Sequence, residues 1–134
     1  MATDINAEKP EQLGSQGISI RPLDATDTRQ VEALVRSMTP LDILVNCVGW
    51  VHTGTILDCS PEQWRRSFEL NVDAIYHAVR LALPGMSTVR RGSIINIASL
   101  AGLKSVPNRA AYSATKAAVR TAAQSPGRCP APPP

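Results

Sequence analysis

The chain has 134 residues and a formal net charge of +3, from 14 basic and 11 acidic side chains. A chain of this length can form one small domain. Its basic residues are scattered apart from two Arg-Arg pairs, which argues against a nucleic-acid-binding surface. No apolar run reaches the roughly 18 residues that would span a membrane. The N-terminus has an acid, Asp4, where a secretion signal would be basic and then apolar, so we expect a cytoplasmic protein.

Segments rich in branched apolar residues alternate with segments of helical spacing. The first kind predicts strands, at residues 18–24 (ISIRPLD), 41–46 (LDILVN) and 92–99 (GSIINIAS). The two long segments between them begin with helix-capping residues, at Thr26 or Asp27 and at Ser60. Alternating strands and helices predict an α/β fold, with a doubly wound parallel sheet covered by helices.

Both ends of the chain depart from this alternation. The first residues, MATDINAEK, open near the end of an expected strand. From Arg120 onward the helical spacing stops, and the prolines exclude a continued helix. We therefore expect a partial domain at residues 1–119 and a Pro-rich tail at 120–134 that is disordered or frame-shifted, since its residues have GC-rich codons.

The three cysteines, Cys47, Cys59 and Cys129, are odd in number and lack metal-ligand spacing. A disulfide framework and a zinc site are therefore both unexpected, and we predict reduced thiols and no metal site.

A tyrosine and a lysine lie four residues apart in the alanine-rich segment at 110–119. On a helix, Tyr112 and Lys116 would share one face, so the ammonium could stabilise a phenolate whose free phenol has a pKa near 10. Ser99 ends the preceding strand, and the carboxyl ends of strands in a doubly wound sheet face the ligand crevice. The three side chains could meet there. A solvated helix face and an ordinary strand-ending hydroxyl are the alternatives.

Several motifs in order carry a family resemblance: LVNCVG, LNV, NIAS and, after a twelve-residue spacer, YSATK. Together they resemble the short-chain dehydrogenase/reductase family, whose Rossmann-like fold binds a dinucleotide. The resemblance covers residues 2–119 and implies that Tyr112 transfers a proton and that Lys116 stabilises its phenolate and holds the nicotinamide ribose. It also implies that Ser99 bonds the substrate oxygen and that Asn71 anchors a water in the proton relay. Asn71 could instead only accommodate a helix bend.

The same resemblance implies NAD as the cofactor. Asp4 would bond the adenosine ribose hydroxyls and repel a 2′-phosphate, and Asp24 would lie beside the adenine. Asn46 and Gly49 match the family's Asn-Asn-Ala-Gly stretch, whose two middle positions are changed here. Both aspartates could alternatively cap helices, Asp4 a helix beginning near Ala7.

Arg109 precedes Tyr112 by three residues, in the segment that the family folds over its substrate. Either it is an exposed loop arginine or its guanidinium pairs with a substrate carboxylate. The second reading favours a small hydroxy acid, or a similar secondary alcohol, as substrate. The sequence most resembles 3-hydroxybutyrate-type dehydrogenases, followed by 2-keto-3-deoxy sugar-acid dehydrogenases.

The family's glycine-rich phosphate-binding turn has no counterpart in the sequence. We therefore expect the first strand and the last strands to be missing, which leaves a gap within the sheet and two unpaired edges. An intact member would form a homo-oligomer through its long helices. The alternatives for this chain are an inactive fragment, or an interaction module that docks on an intact homologue.

Overall fold

The structure, a computed structural model, describes residues 1–6, 14, 16–104 and 106–123. The helices and strands alternate as the sequence predicts. In chain order they are β1 (Ala2–Asp4), β2 (Ile20–Pro22), α1 (Thr28–Met38), β3 (Ile43–Asn46), α2 (Pro61–Phe68), a π-helical turn (Glu69–Asp73), α3 (Ala74–Val89), β4 (Ser93–Asn96), a 3₁₀ turn (Leu100–Gly102) and α4 (Ala110–Ala123).

The strands form two separate parallel pairs. β1 pairs with β2, Ala2 opposite Ile20, and β3 pairs with β4, Asn46 opposite Asn96. In the part of the chain that the structure describes, no strand joins the two pairs. The predicted gap in a parallel sheet is therefore confirmed.

Side-chain caps fix the starts of α1 and α2. Asp27, rather than Thr26, caps α1 by accepting hydrogen bonds from the backbone N–H groups of Arg29 and Gln30. Ser60 caps α2 in a capping box with Gln63, in which each side chain accepts from the other residue's backbone N–H. These bonds satisfy N–H groups that a helix leaves without intrahelical partners.

Two helices differ from the sequence-based expectation. The long helical segment is interrupted by the π-helical turn, which contains Asn71. The last helix runs to Ala123, four residues beyond the predicted boundary at 119. Threonine and alanine at 121–123 are compatible with a helix, and the first proline comes only at Pro126. The rest of the predicted tail, residues 124–134, lies outside the described residues.

The core lies between the helical layer and the strands. Val31 and Val35 of α1 pack with Ala82 and Met86 of α3. Leu23, Leu44 and Ile94 pack against this cluster, so the same helices cover the end of β2 and one face of the β3–β4 pair. No helix in the described ranges has the length and apolar character needed to cross a membrane.

Candidate active site

The ends of β3 and β4 are joined by side-chain and backbone bonds. Asn46 is buried, and its Nδ2 donates to Oδ1 of Asn96, 2.8 Å away. The Ile97 N–H donates to the Asn46 carbonyl at 3.0 Å. Asn46 therefore braces the neighbouring strand, and the segments that follow both strands begin side by side.

Asn71 is completely buried and holds the segment that follows β3. Its Oδ1 accepts from the Trp50 N–H at 2.7 Å, and its Nδ2 donates to the Trp50 carbonyl at 2.9 Å. Nδ2 also donates to Thr115 Oγ1 at 3.0 Å. The amide of Asn71 thus connects the π-helical turn, the β3 end and α4.

Lys116 is a buried cation, with only 3% of its surface exposed. Its Nζ donates to the carbonyl of Ile97 at 2.7 Å and lies 5.8 Å from the centre of the Tyr112 ring. Burial lowers the pKa of Lys116 below its ordinary value, and the nearby Cys47 thiol partly opposes that shift. An ammonium that loses its proton more readily than usual therefore lies beside the half-buried phenol.

Ser99 lies two residues beyond Ile97, whose carbonyl accepts the hydrogen bond from Lys116 Nζ. Its Oγ accepts from the Ala101 N–H at 3.2 Å and caps the 3₁₀ turn. This turn packs tightly on α4, because a Cβ added at Gly102 would lie 2.6 Å from the carbonyl carbon and oxygen of Lys116. The predicted residues Asn71, Ser99, Tyr112 and Lys116 thus lie on segments that are in direct contact.

Arg109 connects the start of α4 to the loop after β3. Its Nη1 donates to Thr53 Oγ1 at 2.6 Å and to the Asn108 carbonyl at 3.0 Å. Gly54 and Arg109 form a parallel bridge, in which the Gly54 N–H donates to the Asn108 carbonyl at 3.0 Å. Arg109 is half-buried, and its guanidinium has two hydrogen-bond partners within the chain.

The two predicted adenosine-binding aspartates follow the other pair of strands. Asp4 is the last residue of β1, and its Oδ1 accepts from the Asn6 N–H at 2.9 Å. The helix expected to begin near Ala7 lies outside the described residues. Asp24 accepts from the hydroxyl and backbone N–H of Thr26, and these two bonds lower the pKa of Asp24. Neither aspartate has a hydrogen bond to the Lys116 region within the described ranges.

Three residues at this site were missed by sequence reasoning: Trp50, Thr53 and Thr115. Thr115 lies within the YSATK motif, so its proximity to Lys116 was readable, but its bond to Asn71 depends on tertiary contact. Thr53 lies in a loop, where threonines are common, and no spacing in the sequence distinguishes it. A separate surface groove of about 540 Å³ is lined by none of the predicted site residues; its lining is Trp64, Arg65, Phe68, Glu69 and Asp73.

The chain is 50% identical over 122 residues to 2-keto-3-deoxy-L-fuconate dehydrogenase of Xanthomonas campestris pv. campestris, covering 89% of this chain and 41% of that protein. It is 38% identical over 120 residues to trans-4-hydroxycyclohexanecarboxylate dehydrogenase of Sinomonas cyclohexanicum, covering 87% and 46%. The chain therefore spans less than half the length of these relatives.

A solved structure is also similar to this chain. The closed form of a serine dehydrogenase complexed with NADP⁺ superposes with a TM-score of 0.83 at 30% sequence identity, covering 92% of this chain and 53% of that one. Residues 1–128 match the sequence pattern of the family described as short chain dehydrogenase. Since this match extends over nearly the whole sequence, the chain belongs to the short-chain dehydrogenase family.

Proposed function

We propose that this chain carries the proton-transfer centre of a nicotinamide-dependent oxidoreductase that interconverts an alcohol and a carbonyl compound. The observation that carries the proposal is the buried Lys116, whose Nζ bonds the Ile97 carbonyl and lies 5.8 Å from the Tyr112 ring centre. A buried ammonium beside a phenol has little structural value, because burying a charge costs free energy. The free-energy cost of burying the Lys116 charge is explained if that charge stabilises the phenolate of Tyr112.

In this proposal Tyr112 takes the proton from a substrate hydroxyl, or gives it to a carbonyl oxygen. Lys116 lowers the free energy of the phenolate, so that proton transfer can occur nearer neutral pH. Ser99 hydrogen-bonds the substrate oxygen as charge develops on it. Asn71, held by Trp50 and Thr115, anchors a water that connects Lys116 to solvent.

Residues of this chain fit the nicotinamide and adenosine ends of a nicotinamide dinucleotide, which when bound supplies or accepts the hydride; the glycine-rich turn for its phosphates has no counterpart in the sequence. Gly49 leaves space beside the lysine: a Cβ there would lie 3.1 Å from Asn71 Oδ1 and 3.7 Å from Lys116 Nζ. Lys116 would hold the nicotinamide ribose. Gly49 would let the backbone approach the cofactor closely, and Asn46 would brace the neighbouring strand. Asp4 and Asp24 would hold the adenosine.

We propose NAD rather than NADP, because the carboxylate of Asp4 would repel a 2′-phosphate. The similar serine dehydrogenase was solved with NADP⁺, so both cofactors belong in the test. Replacing Asp4 by Ser should lower the NADH preference by about fivefold or more, as expected for removing a unit charge about 4 Å away in water.

The proposed substrate is a small hydroxy acid, with Arg109 pairing its carboxylate. Arg109 is already oriented by Thr53, which limits the entropy lost when it binds an anion. The names of the two relatives include a deoxy sugar acid and a hydroxycyclohexanecarboxylate, and both of these carry a carboxylate. Dehydrogenation of 3-hydroxybutyrate is the first reaction to assay, and a 2-keto-3-deoxy sugar acid is the second.

The test is to purify the 134-residue chain, titrate NADH and NADPH by fluorescence, and record thermal unfolding and turnover. We expect saturable NADH binding on the order of micromolar. Tyr112→Phe should keep that binding but lose turnover, because the ring remains and the proton does not. Cooperative unfolding without nucleotide binding, or equal turnover by Tyr112→Phe, would contradict the proposal.

A second candidate function is binding to an intact homologue. It is favoured by apolar side chains that α3 exposes, Tyr76 at 53% and Leu83 at 49%. Sedimentation of this chain mixed with a full-length family member would reveal a complex. Tyr76→Ser together with Leu83→Ser should abolish it.

A further inference from the structure

Thr115 occupies an unusual place in the hydrogen-bond network of the site. It is completely buried, one residue before Lys116. Its hydroxyl accepts from Asn71 Nδ2 at 3.0 Å and donates to the Tyr112 carbonyl at 2.8 Å. The direction of both bonds is fixed, because an amide nitrogen can only donate and a carbonyl oxygen can only accept.

This hydroxyl completes the bonding of Asn71. The two N–H bonds of the amide go to the Trp50 carbonyl and to Thr115, while the amide oxygen accepts from the Trp50 N–H. The bond to Thr115 is buried and the two bonds to Trp50 are half-buried, in surroundings where an unpaired polar group is costly. Without the Thr115 hydroxyl, one buried N–H of Asn71 would have no partner and the amide could rotate.

We propose that Thr115 is a positioning residue, which sets the orientation of the Asn71 amide relative to the turn of α4 that carries Tyr112 and Lys116. The inference rests on the proposed function, since it concerns the same site. It assigns to the hydroxyl a task separate from helix formation: it joins the π-helical turn to α4 at one point.

The same helix offers a matched control. Thr121 also donates its hydroxyl to a carbonyl one turn earlier, that of Ala117 at 3.0 Å, but it is exposed. Thr121→Val should therefore show any effect of losing a hydrogen bond from a threonine hydroxyl to a carbonyl one turn earlier in the helix. An effect on Asn71 should appear only in Thr115→Val, where a methyl group replaces the hydroxyl at nearly constant volume.

The first readout is independent of activity. In ¹⁵N-labelled protein, the side-chain NH₂ signal of Asn71 is assigned by its loss in Asn71→Asp. We expect Thr115→Val to shift this signal and to increase its hydrogen exchange by about threefold or more, the value of one lost hydrogen bond. Thr115→Ser, which keeps the hydroxyl, and Thr121→Val should leave it unchanged. An unaltered Asn71 signal in Thr115→Val would overturn the proposal.

The second readout separates this proposal from the proposed function. Thr115→Val should lower kcat about tenfold or more through misplacement of the site, with little change in KM, and Thr115→Ser should restore it. If the unmodified chain has no turnover, the proposed function fails, and the Asn71 signal still decides the role of Thr115. If Thr115→Val does not fold, Thr115→Ser decides: a normal Asn71 signal supports the proposal, and a lost one refutes it.

Discussion

Lys116 combines two features that rarely occur together, near-complete burial and a single described hydrogen bond to a main-chain carbonyl. An ammonium has three N–H donors, so in the described part of the chain two of them remain for other partners. A residue selected for stability alone would be served better by an apolar side chain of similar size. Burial, with two N–H donors remaining for other partners, distinguishes Lys116 from the other lysine in the described residues, the exposed Lys104.

The lowered pKa of Lys116 predicts how stability depends on pH. The unfolded chain holds this proton with the ordinary pKa of 10.5, whereas burial lowers the value in the folded chain. Between the two values the unfolded state binds more protons, so stability should rise with pH in a window that ends near 10.5 and begins below it. Below that window both states are charged, and the cost of burying the charge is fully present.

Urea unfolding between pH 7 and 10.5 measures this effect. The free energy of unfolding should rise with pH in the unmodified chain relative to Lys116→Met, which has no proton to lose. Lys104→Met is the matched control and should retain the rise. Parallel pH profiles for the unmodified chain and Lys116→Met would show that the lysine does not titrate differently on folding.

At the level of the elements, the packing of the 3₁₀ turn on α4 places Ser99 relative to Lys116. Gly102→Ala would put a methyl group 2.6 Å from the carbonyl carbon and oxygen of Lys116 and 2.8 Å from the Ala117 nitrogen. Backbone atoms of a helix cannot move aside as a flexible side chain can. We expect a loss of about 1–3 kcal/mol in the free energy of unfolding, the usual cost of overpacking.

The control for this substitution is Gly14→Ala, whose added Cβ would meet, among the described residues, Ile20 Cδ1 alone at an ordinary 3.4 Å. Thermal unfolding of both variants gives the comparison, with NADH titration as the second measurement. Gly102→Ala should also weaken the proposed NADH binding, because the turn and Lys116 would move apart. Equal stability of the two variants would mean that the turn is not held against α4 as described.

Some elements could be predicted from the sequence because their signals are local. The Ser60 capping box and the branched residues of β3 and β4 depend only on neighbouring residues, and their positions are confirmed to within a few residues. The π-helical turn could not be predicted, because its Asn71 bonds Trp50 and Thr115, and these partners come together only through tertiary packing. Lys116 was predicted from spacing, whereas its bond to the Ile97 carbonyl required the packing of α4 on β4.

At the level of the whole molecule, the layer of α1 and α3 covers one face of the β3–β4 pair and the end of β2. Side chains of a strand alternate between faces, so the outer face of the β3–β4 pair is formed by the residues between those of the core. These are apolar and exposed: Ile43 at 60%, Val45 at 54% and Ile95 at 46%. Strands that expose both an apolar face and an unpaired edge tend to associate with other chains.

This arrangement predicts that threonine substitutions on the two faces of the β3–β4 pair change different properties, self-association for the outer face and stability for the core face. Val45→Thr with Ile95→Thr removes apolar surface from water while keeping β-branched side chains, so self-association should fall and the unfolding temperature should change little. Leu44→Thr with Ile94→Thr puts two hydroxyls against the Val31–Met86 core and should abolish cooperative unfolding. Sedimentation velocity over a range of concentrations measures the first effect, and thermal unfolding followed by circular dichroism measures the second. If the outer-face variant unfolded as readily as the core variant, both faces of the β3–β4 pair would be buried in solution. The chain would then have covered its exposed strands by assembling with a partner.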